Sequence, residues 1–129
     1  MTILPTPVDI HLFCPQAKPA DARPIIGWMG LPSGFDHLYR IERALAQVLR
    51  RHPEALFRVV SENRPDFQTI PSRQYQWIPW TQQNEARTVR EMTIGIMPLD
   101  DSVMSRGKCS YKMLLYMACG LPVVSVPWA

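Results

Sequence analysis

The chain has no apolar run that approaches the roughly 20 residues needed to cross a bilayer. Its N-terminal stretch also lacks the basic start and the unbroken apolar core of a secretory signal, because Pro5 and Pro7 interrupt it. With 129 residues and 47% apolar content, the sequence predicts one globular domain with one core. We therefore expect a cytoplasmic protein without a transmembrane segment.

Metal-binding and redox spacings are also missing. Cys14, Cys109 and Cys119 are odd in number and form no CxxC pair, which indicates reduced thiols. The three histidines are scattered and show neither HExxH nor mixed Cys/His spacing, so we expect no metal site. Cys109 stands at a predicted helix start, where a thiolate is stabilised, but no histidine stands at a partner spacing.

No long block of one charge occurs. The net charge is only +3, and the densest basic groups are two pairs, Arg50 with Arg51 and Arg106 with Lys108. This pattern argues against a nucleic-acid surface. A mildly basic site for one small phosphorylated ligand fits the composition better.

What the chain does contain is an alternation of short apolar strands with helical segments. Strands are predicted at residues 24–29, 56–60, 74–77, 93–97 and 122–126, and helices at residues 35–52, 81–92 and 110–119. Continuous apolar strands that alternate with helices are typical of a parallel sheet covered on both faces. The fold class predicted is α/β, a Rossmann-like doubly wound sheet. Residues 1–23 read as a proline-rich lead-in with a turn around residues 6–9, and residues 24–129 as the domain, which looks cut off after its last strand.

A basic loop opens the last predicted helix. Lys108, Ser110, Tyr111 and Lys112 stand where an α-helix leaves its first N–H groups unused, beside the positive end of the helix dipole. Lysine is disfavoured there, so two lysines suggest a bound anion such as a diphosphate. The alternative is that both lysines are simply solvated.

The loop at residues 30–34 follows the first strand and opens a helix, where a doubly wound fold places a phosphate-binding turn. Ser33 with Asp36 resembles a capping box. Because the loop is not GxGxxG, an ordinary tight turn is an equal alternative. In the last helix, Leu115 shares a face with Tyr111, and we expect the methionines Met113 and Met117 to cover the sheet.

Other candidates are less specific. Asp100 and Asp101 follow the fourth strand and could bind a sugar hydroxyl or a metal-bridged phosphate, although a solvated turn is the simpler interpretation. Trp28, Trp77 and Trp80 are most simply packing residues, and one of them could flank a nucleobase.

Several strings resemble the C-terminal half of a group-1 (family 4) glycosyltransferase of the GT-B architecture. Residues 108–124 (KCSYKMLLYMACGLPVV) resemble the family string KCxYKLLxYMAxGLPVV. Residues 3–9 (ILPTPVD) resemble IPxPVD, residues 25–30 (IIGWMG) contain IGWxG, and residues 94–99 (IGIMPL) match DIGIMPL, with Thr93 in place of its aspartate.

The resemblance implies a binding site for a nucleotide diphosphate sugar, with no required metal or cofactor and with catalytic residues unknown. Lys108, Tyr111 and Lys112 would lie along the diphosphate and the donor sugar. Leu115 falls where the family has a ribose-binding glutamate, and Gly107 falls at the first glutamate of its E-x7-E pair. The donor-binding candidates are Gly30, Ser33, Arg106, Lys108, Ser110, Tyr111, Lys112 and Leu115.

In function, the resemblance implies transfer of a glycosyl group from the nucleotide sugar to an acceptor, with retention. Since the acceptor domain is missing here, we expect no turnover from this polypeptide by itself. One alternative is a non-catalytic fragment or subunit that associates with a separate acceptor-domain chain or with itself. A second is another Rossmann-like nucleotide binder such as an oxidoreductase, which the missing GxGxxG and the lack of an acidic residue closing the second strand disfavour.

Overall fold

The computed structural model describes residues 1–4, 6–108 and 110–127. Within them, five strands form one parallel sheet in the order β3-β2-β1-β4-β5. The strands are β1 (Ile25–Met29), β2 (Leu56–Ser61), β3 (Tyr75–Pro79), β4 (Ile94–Met97) and β5 (Val123–Ser125). All five predicted strands are confirmed to within about two residues.

Helices connect these strands. They are α1 (Phe35–Arg51), α2 (Glu85–Arg90), α3 (Val103–Arg106) and α4 (Tyr111–Ala118), with short 3-10 turns at Pro32–Gly34 and Ser72–Gln74. The four-residue α3 lies in a segment that the sequence predicted as loop. Ser102 begins it, because the Ser102 hydroxyl accepts a bond of 3.1 Å from the Ser105 N–H.

The helices cover both faces of the sheet. On one face α1 packs Leu38 and Leu49 into a cluster with Phe57 and Val59 of β2. On the other face α2 and α4 bury a separate cluster with Met29 of β1. Two cores on opposite faces of one parallel sheet confirm the α/β, Rossmann-like doubly wound fold.

The start of α1 differs from the prediction. Gly34 is its N-cap residue, and no side chain caps it. Pro32 favours a 3-10 turn before the helix, so Ser33 lies inside that turn and not at the cap. The expected capping box of Ser33 and Asp36 is therefore wrong.

Helix α2 is shorter than the predicted residues 81–92. Thr81 and Asn84 exchange two bonds, Thr81 N–H to Asn84 Oδ1 at 3.0 Å and Asn84 N–H to Thr81 Oγ1 at 3.1 Å. These bonds give the backbone a turn in place of a first helical turn. Val89 and Met92 are buried.

The buried side of α4 also differs from the prediction. Leu115 and Tyr116 are fully buried, whereas Met117 is 58% exposed. The Tyr116 ring packs directly on Gly95 of β4, where any Cβ would collide with it. The Tyr116 hydroxyl donates to the Ile96 carbonyl at 3.2 Å and accepts from the Met29 N–H at 3.3 Å. The space left by Gly95 thus places Tyr116, and not Met117, against the sheet, whereas Met113 is half-buried.

Helix α4 ends at a glycine. Gly120 has a φ of 71°. Its N–H donates to the Met117 carbonyl at 2.9 Å, and the Leu121 N–H donates to Tyr116 at 3.0 Å. These two bonds form a Schellman motif, which favours glycine in the left-handed region.

The lead-in is partly anchored to the domain. Its turn follows Asp9, whose carbonyl accepts the Phe13 N–H at 2.9 Å, instead of lying at residues 6–9. Phe13 is 6% exposed and joins the core beneath α4. The Pro15 ring lies beside Gly120.

Candidate functional site

The candidate site lies at the switch point of the sheet, between β1 and β4. These strands are neighbours, and the chain leaves them in opposite directions, toward β2 from one and toward β5 from the other. In open parallel sheets ligands bind beyond the carboxyl ends of the strands at such a point. The two loops that form it are residues 30–34 and 98–110.

The two loops meet through Gly30 and Lys112. A Cβ on Gly30 would lie 2.6 Å from Lys112 Cε and 2.7 Å from the Trp28 ring. The Lys112 Nζ lies 5.4 Å from the centroid of that ring, within the range of a cation–π contact. The lysine stem therefore crosses the switch point at a place where only glycine leaves room.

A cavity of about 350 Å³ opens beside this contact. Its wall combines the ends of three strands with α2 and α4. The lining residues are Met29, Gly30, Leu31, Glu62, Trp80, Glu85, Tyr111, Lys112 and Leu115. We refer to it as the larger cavity.

A second cavity of about 260 Å³ adjoins it beyond β4 and shares Tyr111 and Lys112 with it. Its lining residues are Met97, Leu99, Lys108, Ser110, Tyr111 and Lys112. We refer to it as the smaller cavity. The charges divide unequally, since the smaller cavity has two lysines and the larger has two carboxylates beside its one lysine.

Helix α4 begins at the smaller cavity. Ser110 is its N-cap residue and has a φ of 56°, a left-handed conformation that costs a non-glycine residue energy. Its carbonyl accepts the Leu114 N–H at 3.2 Å. This bond is the first of the helical ladder, so α4 begins directly after Ser110.

Polar side chains hold the long loop. Asp100 accepts hydrogen bonds from Ser105 Oγ, from Ser102 Oγ at 2.7 Å and from Arg40 Nη1 of α1 at 3.2 Å. The two serine hydroxyls, Ser105 foremost, hold the pKa of Asp100 well below its usual range. Asp100 therefore organises its own loop.

Lys108, near the other end of this loop, has an electrostatic effect on His37 of α1. Burial lowers the pKa of His37, and the neighbouring Lys108 ammonium lowers it further. A positive group thus stands near the first turn of α1, beside the smaller cavity. Lys108 and Lys112 both line the smaller cavity.

The predicted site residues divide into two groups. Six line the cavities: Gly30, Lys108, Ser110, Tyr111, Lys112 and Leu115. Ser33 is exposed in the 3-10 turn and lines neither cavity. Arg106 is 61% exposed, bonds Asp101 and also lines neither. Leu115 offers the larger cavity only hydrocarbon.

Sequence reasoning missed Glu62 and Glu85, and it gave Trp80 only as one of three tryptophans that could flank a nucleobase. The statement that no acidic residue closes the second strand is wrong, because β2 extends to Ser61 and Glu62 follows directly. Trp80 follows β3 and is 38% exposed. Burial raises the pKa of Glu85, and a hydrogen bond from Trp80 opposes this shift. Position directly after a strand was the signal that could have found Glu62 and could have selected Trp80 among the three tryptophans.

Comparison with known proteins adds no assignment: no protein-family model and no curated protein matches the chain. Among the described residues, no three His, Cys, Asp or Glu side chains lie together as a metal site would require. In that same part of the chain no helix has the length and apolarity to span a membrane.

Proposed function

We propose that this chain is the donor-binding part of a glycosyltransferase and holds a nucleotide diphosphate sugar across the carboxyl ends of its strands. The observation that carries the proposal is the crevice at the switch point, where Gly30, Lys108 and Lys112 come together from two distant parts of the chain. The strings shared with group-1 glycosyltransferases support the same function.

The smaller cavity suits the diphosphate. Lys108 and Lys112 supply positive charge, and the start of α4 adds the positive end of its helix dipole. A lysine at this helix end costs about 0.3–1 kcal/mol without an anion. A bound diphosphate offsets that cost and, as the leaving group in glycosyl transfer, is stabilised by the same donors.

The larger cavity suits the nucleoside. It is lined mainly by apolar groups, carries the partly exposed Trp80 indole and is bordered by Glu62 and Glu85. Carboxylates repel phosphate, so the charge difference sets the direction of the ligand. Four neighbouring strands, β4 to β3, span about 14 Å at about 4.8 Å spacing, comparable with an extended nucleoside diphosphate.

Glycosyl transfer also needs an acceptor held against the donor in a closed cleft. We therefore expect this chain by itself to bind the nucleotide sugar without turnover. The transfer belongs to the proposed whole enzyme, and its retaining, metal-independent course is implied by the family strings.

Calorimetric titration with uridine, guanosine and adenosine diphosphates tests the proposal. We expect saturable binding of at least one of them, and we expect Lys112→Gln to weaken it by about tenfold because a charge-assisted contact is lost. Lys18→Gln is the matched control, since Lys18 is an exposed lysine of the lead-in that lines neither cavity of the crevice.

The result that would contradict donor binding is no saturation with any diphosphonucleotide. Saturable binding of a nicotinamide dinucleotide instead would favour the oxidoreductase alternative. Circular dichroism of each variant shows that a loss of affinity is not a loss of fold.

One observation favours the second candidate, association with another chain. On the α1 face, over β4, lies an apolar trough of about 320 Å³, with Val48 and Val124 exposed at its border. Exposed apolar surface of this kind favours association. Light scattering that shows a tight dimer without any nucleotide response would support this candidate over donor binding.

A further inference from the structure

We infer that Glu62 binds the ribose hydroxyls of the nucleotide, in place of the glutamate that the family has at the position of Leu115. The inference rests on the proposed function and names the residue that selects a ribonucleotide. It combines the position of Glu62 in the sheet with the chemistry of the larger cavity.

The position follows from strand order. From the two lysines outward, a nucleoside diphosphate crosses the ends of β1, β2 and β3 in turn. Glu62 directly follows β2, between the Gly30 turn after β1 and Trp80 after β3. With phosphate at one side and an aromatic ring for the base at the other, the ribose lies at the end of β2.

The backbone before Glu62 is fixed on both sides. The Ser61 carbonyl accepts the Trp80 N–H at 3.0 Å and Trp77 Nε1 at 3.2 Å. On the other side the Val60 carbonyl accepts the Gly30 N–H at 3.1 Å. These bonds join the ends of three strands. The backbone that carries the Glu62 side chain is therefore held in place between the Gly30 turn and Trp80.

The chemistry also singles out Glu62. A ribose presents two neighbouring hydroxyl donors, and a carboxylate can accept both. Glu85, the other acid of the cavity, is half-buried in the first turn of α2, beyond the end of β3. Glu62 is exposed to the cavity and, within the described part of the chain, its carboxylate makes no hydrogen bond or ion pair with another residue. An acid at the end of the second strand holds ribose in other doubly wound folds.

The test compares ribose with 2′-deoxyribose ligands. The full chain is titrated with uridine and guanosine diphosphates and with their 2′-deoxy counterparts. We expect wild type to bind the better ribonucleotide at least about tenfold more tightly than its deoxy form. The deoxy form lacks the 2′-hydroxyl that would donate a hydrogen bond to the Glu62 carboxylate. Glu62→Gln should reduce this ratio to about twofold or less, mainly by weakening the ribonucleotide.

Glu54→Gln is the matched control. Glu54 is an exposed glutamate at the opposite, amino end of β2, away from both cavities. This variant should keep the full ribose preference. If Glu54→Gln loses the ribose preference as Glu62→Gln does, the loss comes from the change in net charge and not from a ribose contact, and the inference is overturned.

The remaining outcomes separate the two proposals. If wild type binds ribonucleotide and deoxyribonucleotide equally, or if Glu62→Gln retains the preference, Glu62 is not the ribose ligand and donor binding still stands. Tighter binding of both ligands by Glu62→Gln would place the phosphates beside Glu62 and overturn the inference. If no nucleotide binds at all, the proposed function fails and the inference fails with it.

Discussion

The two loops that form the crevice are held by different forces. The short loop at residues 30–34 depends on close packing, because Gly30 lies against Trp28 and the Lys112 stem. The long loop at residues 98–110 depends on side-chain hydrogen bonds that converge on Asp100. The short loop therefore has no space for a larger side chain at Gly30, whereas the long loop can lose a hydrogen bond without disturbing the hydrophobic core.

The same substitution in each loop gives the largest expected contrast. Gly30→Ala forces the buried Trp28 ring and the lysine to shift, since its Cβ would approach both within 2.7 Å. Overpacking of this kind costs about 1–3 kcal/mol, and the displaced Lys112 should weaken nucleotide binding by about tenfold or more. Urea denaturation and calorimetric titration measure the two effects.

Gly107→Ala is the counterpart in the long loop. A Cβ there would meet only backbone oxygens at 3.5 and 3.6 Å, an ordinary contact, and the φ of −83° suits alanine. We expect Gly107→Ala to leave the free energy of unfolding unchanged or to raise it by about 0.4–1 kcal/mol, because alanine gives the unfolded chain less conformational freedom than glycine. If Gly107→Ala destabilised the protein as much as Gly30→Ala, the two loops would not differ as described.

The meeting of the two loops was predictable from the sequence, and the contacts within it were not. Alternating apolar strands indicate a doubly wound sheet, and that topology alone brings the ends of β1 and β4 together. A glycine that follows a predicted helix is a local signal of the same kind, and Gly120 does end α4. These features depend on residues close to one another in the chain.

Features set by distant residues escaped the prediction. The face of α4 is chosen by Gly95, which accepts the Tyr116 ring about twenty residues away. The end of β2 is set by bonds from Trp77 and Trp80 to Ser61. Because a one-residue extension brings Glu62 to the edge of the sheet, a small error in strand length concealed a site residue.

An intermediate effect is expected when the network of the long loop is weakened. Asp100→Asn removes the charge that organises Ser102, Ser105 and Arg40. The loop that carries Lys108 should then be less well placed, and nucleotide affinity should fall several-fold while the core stays intact. Calorimetric titration with thermal melting by circular dichroism separates the two readouts.

The same variant has a pH signature. Because the folded-state pKa of Asp100 lies below its usual value of 3.8, its contribution to stability is present above about pH 4. That contribution is lost as the pH falls toward the folded-state pKa. Between pH 5 and pH 2 the melting temperature of wild type should therefore fall more than that of Asp100→Asn. Parallel melting profiles would show that the network adds no charge-dependent stability.

The smallest effect is expected at the link between the long loop and α1. The ion pair of Arg40 with Asp100 joins side chains that are 62% and 27% exposed, so solvent and salt weaken it. Arg40→Gln should change nucleotide affinity within about threefold, less than Asp100→Asn, because both serines still bond Asp100. Arg43→Gln, on the exposed side of the same helix, is the control and should match wild type. An effect of Arg40→Gln equal to that of Asp100→Asn would mean that α1, and not the serines of the loop, holds Lys108 at the crevice.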